Sequence, residues 1–221
     1  MMDFAKNLDQ IISRIEKARL AYSRHHIVQL IAVSKYASTK QIATLYACGQ
    51  RAFGENKIQD LQAKSEHLAD LPLEWHMLGN LQSNKINKML ALKPFLFHSL
   101  HSLALAQEIQ ARSPYKLKAL LQVNVSLEKS KSGVRPECAL ETYQQIKQTC
   151  PQIELQGLMA IGPQTEDTRQ IERAFQSAKD IFDKLPQASI LSMGMSGDFE
   201  IAISYGANMV RIGQALFKEP N

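Results

Sequence analysis

Short apolar runs alternate with helical patterns eight times in 221 residues, which predicts a single α/β domain, a (β/α)8 TIM barrel with an extra N-terminal helix. Three observations carry this. Each run has strand length and stops at a polar residue or glycine. A helical pattern follows each run. The average period is that of a compact barrel. Eight units favour closure. An open doubly wound sheet is the alternative, since the second run, 51–53, is very short.

Residues 1–28 are assigned to the N-terminal helix and 29–217 to the barrel. In the helix, from 3 to about 24, Phe4, Leu8, Ile11, Ile12 and Ile15 follow helical spacing. Lys6, Asp9, Arg14 and Lys17 occupy the other face. No strand precedes it, so it packs across the fold. The first strand is Leu30-Ile31-Ala32-Val33-Ser34, closed by Lys35. Ser38-Thr39-Lys40-Gln41 then reads as a capping box. The remaining runs are 51–53, 74–78, 95–98, 117–125, 155–161, 190–193 and 208–212. Helical patterns cover 38–47, 58–68, 83–92, 102–112, 136–148, 167–185 and 198–204, and a closing helix starts near Gln214. No repeat, low-complexity tract or linker interrupts the chain.

The formal charge is +5, with Lys and Arg spread along the chain. No basic stripe points to nucleic acid. Cys48, Cys138 and Cys150 are widely spaced and odd in number, as for ordinary thiols in a reducing compartment. No signal-peptide pattern and no membrane-length apolar run occurs, so the expectation is a cytoplasmic protein. No His/Cys spacing suggests a metal.

In a barrel the strand ends converge on one mouth. Here they supply Lys35, Gly54-Glu55-Asn56, Gly79-Asn80, His98-Ser99, Asn124, Gly162, Gly194-Met195-Ser196-Gly197 and Arg211-Ile212-Gly213. Glu55 is the prominent carboxylate, and no carboxylate pair suggests glycosidase chemistry. Lys35 at the end of strand one would be partly desolvated and available for a Schiff base. Ser196 reads as an N-cap whose helix turns free amides toward the mouth, and Gly213 allows close approach of an anion. An amine facing a phosphate nest implies an aldehyde-bearing phosphate ester. Pyridoxal 5′-phosphate (PLP) fits, and so does a sugar phosphate acted on by a Schiff-base aldolase.

Several motifs then resemble one family in order: Ala32-Val33-Ser34-Lys35, Phe53-Gly54-Glu55-Asn56 and Trp75-His76-Met77-Leu78-Gly79-Asn80-Leu81-Gln82-Ser83-Asn84-Lys85. Ser130-Lys131-Ser132-Gly133, Gly157-Leu158-Met159-Ala160-Ile161, Leu191-Ser192-Met193-Gly194-Met195-Ser196 and Val210-Arg211-Ile212-Gly213 continue the match. The chain resembles the YggS/PROSC family of PLP homeostasis proteins. The resemblance implies a barrel like the N-terminal domain of alanine racemase, with PLP held as a Schiff base on Lys35. It implies that Ser196, with backbone amides near Gly197 and Gly213, holds the phosphate, that Arg211 faces the pyridine nitrogen, and that Asn56 lines the cofactor. An always-charged guanidinium disfavours a pyridinium and weakens the electron sink. The implied function is a PLP carrier or regulator without robust turnover, a monomer that supplies apo PLP-dependent enzymes. The alternative is a PLP-dependent amino-acid racemase. Racemases continue beyond the barrel into a second domain bearing a catalytic tyrosine, which is not expected here. Tyr36-Ala37-Ser38 replaces the commoner Thr-Lys-Pro after the lysine, and Asn80 sits at a variable family position.

Each residue also has a structural reading. Ser196 could serve only as a cap, Arg211 only in an ion pair with a barrel carboxylate, and His76 and His98 only as buried, hydrogen-bonded side chains. Met193, Met195 and Trp75 read as packing. Lys129 and Lys131 read as a solvated loop or a lid over the mouth. Asp198 and Glu200 suit the first turn of a helix.

Overall fold

The computed structural model describes residues 3–128, 131–185 and 187–217. Parallel strands need a crossover between them, and here each crossover is helical. The strands are β1 (Gln29–Val33), β2 (Ala52–Glu55), β3 (Glu74–Met77), β4 (Leu96–Leu100), β5 (Leu117–Val123), β6 (Ile153–Ala160), β7 (Ile190–Ser192) and β8 (Met209–Ile212). They form a closed barrel in chain order. The seam closes between β1 and β8, with Gln29 beside Met209 and Ala32 beside Ile212. That pairing removes the open-sheet alternative. The helices are α1 (Phe4–Tyr22), α2 (Thr39–Ala47), α3 (Ile58–His67), α4 (Ile86–Leu92), α5 (Leu103–Gln110), α6 (Ala139–Thr149), α7 (Thr168–Phe182), α8 (Phe199–Ser204) and α9 (Gln214–Phe217).

Local chemistry explains where the elements depart from the sequence reading. β2 starts after Arg51, whose guanidinium stacks 4.0 Å from the Tyr46 ring centroid and donates to the Tyr46 carbonyl. β4 runs on through Leu100, so His98 is a mid-strand residue and not a strand end. β5 stops at Val123 because the Asn124 amide donates to the carbonyls of Glu128 and Lys131 and curls the chain out of the ladder. α4 and α6 are each preceded by a short 3-10 turn, Ser83–Lys85 and Pro136–Cys138. The capping box before α2 forms: Ser38 Oγ accepts from the Gln41 amide, and Gln41 Oε1 accepts from the Ser38 amide.

α1 lies against α8 and α9. Phe4, Leu8, Ile11 and Ile15 are buried with Phe199, Ile203 and Leu216, each worth about 1.5–3 kcal/mol. Ile12 is 44% exposed, so the apolar stripe is narrower than its spacing suggested. Arg14 instead crosses to α8, bonding both Glu200 oxygens at 2.7 and 2.9 Å and stacking on Phe199. Trp75 packs between barrel and helices, as expected. Met1, Met2, Lys129, Ser130 and the tail 218–221 lie outside the described residues. Among the described residues no helix is long and apolar enough to cross a membrane, and Cys48, Cys138 and Cys150 are free thiols.

Candidate functional site at the barrel mouth

Side chains alternate along a strand, so one inward residue fixes the others. Ile31, Ala52, Leu96, Leu120, Met159 and Met209 form an apolar cluster inside the barrel. The same parity sends His76, His98, Gln122, Ser192 and Arg211 inward. The opposite parity sends Ser34 and Glu55 outward to α3. There Glu55 is fully buried and bonds Ser34 Oγ at 2.6 Å and Lys64 Nζ at 2.8 Å. Lys64 also donates to the Ser34 carbonyl at 2.7 Å. Glu55 is therefore not a mouth carboxylate. It anchors the backbone immediately before Lys35.

Lys35 follows β1 at the mouth and is exposed, so the expected desolvation is absent. Its Nζ rests 4.9 Å from the centroid of the exposed Tyr36 ring. Lys35 and Gly213 line the same hollow of ≈ 260 Å³, with Ala37 and Phe217. Asn56 is exposed on the neighbouring rim. Its carbonyl lies where a Cβ on Gly79 would stand only 1.9 Å away, so the two loops meet only because position 79 is glycine.

The loop after β7 differs from its reading in one respect. Ser196 is not the N-cap of α8; Asp198 holds that position. The buried Asp198 carboxylate turns back and accepts the Met195 amide at 2.6 Å. Burial pushes its carboxyl above the usual range, while the Met195 N–H and the Arg211 charge pull the other way. This turn leaves Ser196 half-buried and Gly197 exposed. Their amides donate to no protein acceptor among the described residues. Gly194 has φ +94, and a Cβ there would press on Phe199 and Ala202. Met193 is buried as expected, but Met195 is 40% exposed beside a groove that Gly197 shares with Pro163.

Arg211 is buried inside the barrel. Its Nη1 donates to Ser192 Oγ at 2.8 Å and its Nη2 to the Ala160 carbonyl at 2.9 Å. Among the described residues it forms no ion pair, so the barrel-carboxylate partner is not found. Burial pushes its pKa down to about 10, against the pull of Asp198, so it stays charged near neutrality. Ser192 continues to His98 Nδ1 at 3.4 Å, and His98 Nε2 to His76 Nδ1 at 2.9 Å.

Of the two lysines in the stretch after β5, Lys129 lies outside the described residues, and Lys131 is tied down rather than solvated. Lys131 bonds Glu128 at 2.7 Å and the Gly162 carbonyl at 2.8 Å. Asn80 donates to Ser132 Oγ at 2.9 Å, and Gln122 to the Ser132 carbonyl at 2.6 Å. The described parts of this stretch thus reach from the end of β3 to the end of β6. Ser192 and Lys64 are absent from the sequence reading as parts of a site, while His76 and His98 are buried and hydrogen-bonded as their structural reading had them. Strand parity carried the signal for Ser192, which lies two residues along from inward Ile190 and opposite Met209.

The architecture is that of the alanine racemase N-terminal domain, whose family model matches residues 7–220. A racemase structure from Clostridium difficile superposes with TM-score 0.71 at 17% identity, covering 98% of this chain and 58% of that one, and so shares the fold. Within that class, the chain belongs to the family of pyridoxal phosphate homeostasis proteins. It is 58% identical over 222 residues to the pyridoxal phosphate homeostasis protein of Helicobacter pylori strain J99, covering 99% of this chain and 100% of that one. The Escherichia coli K12 protein of that name is 38% identical over 228 residues, covering 98% and 97%. PipY of Synechococcus elongatus, solved with PLP bound, superposes with TM-score 0.84 at 32% identity, covering 98% and 100%.

Proposed function

We propose that this chain binds PLP at the barrel mouth and acts in PLP homeostasis as a carrier or regulator. The observation that carries the reading is the exposed Lys35 amine sharing one hollow with Gly213, while Gly197 lines a separate groove. PLP supplies an aldehyde that condenses reversibly with an amine, and a dianionic phosphate. The residues present fit both ends of it.

Lys35 provides the amine. The Lys64–Glu55–Ser34 cluster holds the backbone just before it, while the side chain itself stays free to move. Ser196 Oγ and the amides of Gly197 and Gly213 would hold the phosphate, with Asn56 on the rim. Gly197 has open space where a Cβ would be, so an anion can approach its backbone. Arg211, held by Ser192 Oγ and the Ala160 carbonyl, would supply a fixed cation to the pyridine nitrogen, disfavouring its protonation. Such a cofactor is a weak electron sink, which suits holding and release better than carbanion chemistry. In this reading residues 1–221 act as one PLP-binding unit, a cytoplasmic monomer that passes PLP to apo-enzymes.

Borohydride reduction of PLP-saturated protein, followed by peptide mass mapping, tests the assignment. A pyridoxyl adduct on the Lys35 peptide is expected. Its absence under saturation overturns the reading. Amino-acid turnover that disappears in Lys35→Ala would replace the carrier with an enzyme.

A further inference from the structure

Below the mouth runs a polar chain that phosphate and amine capture do not themselves require. Its members come from four strands: His76 on β3, His98 on β4, Ser192 on β7 and Arg211 on β8. All four are buried. They stand in the upper barrel, above an apolar cluster that fills the same interior with isoleucine, leucine and methionine. Apolar side chains would fill the upper layer without a desolvation cost, so the polar choice calls for a reason.

One direction gives the Ser192 proton an acceptor; in the reverse one Ser192 Oγ accepts from His98 as well, and the His98 tautomer distinguishes the two. The guanidinium is donor-only, so Ser192 Oγ accepts from it at 2.8 Å. The Ser192 proton is then free to go to His98 Nδ1, 3.4 Å away. That makes His98 Nδ1 an acceptor and places its proton on Nε2, facing His76 Nδ1 at 2.9 Å. His76 in turn carries its proton on Nε2, which is buried with no partner among the described residues. A second proton on His98 would place one more buried cation beside Arg211. The charged or titratable groups set against the chain are Arg211 itself and Asp198, whose field reaches it. Burial, His76 and Arg211 all hold His98 neutral, as burial does His76.

We infer that His98 and His76 are positioning residues for Arg211. The oriented chain Arg211 to Ser192 to His98 to His76 holds the guanidinium in the one pose that faces the cofactor ring. Two anchors, Ser192 Oγ and the Ala160 carbonyl, stop it from rotating. Each donor in the series polarises the next. The role rests on the PLP reading given above.

Two measurements test it. In 15N-labelled protein without PLP, two-bond proton–nitrogen correlations should show His76 and His98 as neutral Nε2–H tautomers from about pH 6 to 8. An Nδ1–H tautomer at His98 would overturn the chain. In PLP-saturated Ser192→Ala and His98→Gln, borohydride should still trap the Lys35 adduct. The visible absorption of both variants should change, with its pH midpoint displaced by about one unit, the size expected from losing one charge-assisted bond. Ser192→Thr should restore the wild-type spectrum. Wild-type spectra and midpoints in Ser192→Ala and His98→Gln, with the adduct intact, would refute the positioning role alone. No adduct in the wild-type protein would remove the cofactor reading and this role with it.

Discussion

Lys35 and Arg211 stand on neighbouring strands, yet the molecule holds them in opposite ways. Arg211 pairs in register with Ile31, four residues before Lys35. It is buried, clamped at two of its nitrogens and backed by a histidine chain. Lys35 is exposed, and its amine lies over the Tyr36 ring beside it. The rigidity near Lys35 lies in the backbone, through Glu55 and Lys64, not in the side chain. In the proposed reading, the group that would orient a ring is fixed, and the group that would make and break a bond is left loose.

The sharpest way to break the contrast is to remove each cation. Lys35→Ala should abolish the borohydride-trapped adduct completely while moving unfolding free energy by no more than about 0.5 kcal/mol. Peptide mass mapping and urea denaturation read the two halves of that statement. Lys64→Met should do the reverse. It strands the fully buried Glu55 carboxylate and should cost about 3–5 kcal/mol in urea unfolding. Ser196→Ala should leave the fold intact and weaken PLP retention by about 1.5–3 kcal/mol in equilibrium dialysis. Unchanged affinity there would contradict the phosphate assignment.

Acid probes the fixed side alone. His76 is pushed down to about 4 and His98 well below 6.5, both chiefly by burial. In the unfolded chain each takes up a proton near 6.5, so between 6.5 and about 5 the unfolded state binds more protons. Stability is therefore whole above 6.5 and falls with acidification, by up to about 1.4 kcal/mol per pH unit for each histidine. Urea midpoints at the two pH values should show it. The double variant His76→Gln/His98→Gln should flatten the slope.

The alternation of runs and helices was enough to read the closed barrel, because strand and helix periods are local properties. Lys35, Gly197 and Gly213 were legible as mouth residues for the same reason: they end strands or follow them. What stayed hidden depends on partners far apart in the chain. Arg211 and His98 are 113 positions apart, and Ser34 and Lys64, which meet at Glu55, are 30 apart. No local pattern announces such contacts, although inward parity on β3, β4, β7 and β8 marks the whole polar chain once the barrel is known.

The tether formed by Asn80, Ser132, Lys131 and Gly162 sets a direction of traffic. It stitches the β3-to-β6 arc of the rim together, while the hollow beside Lys35 lies on the β8–β1 arc. If PLP binds as proposed, its way in and out would lie over the seam where the barrel closes on itself, at the join between the first strand and the last.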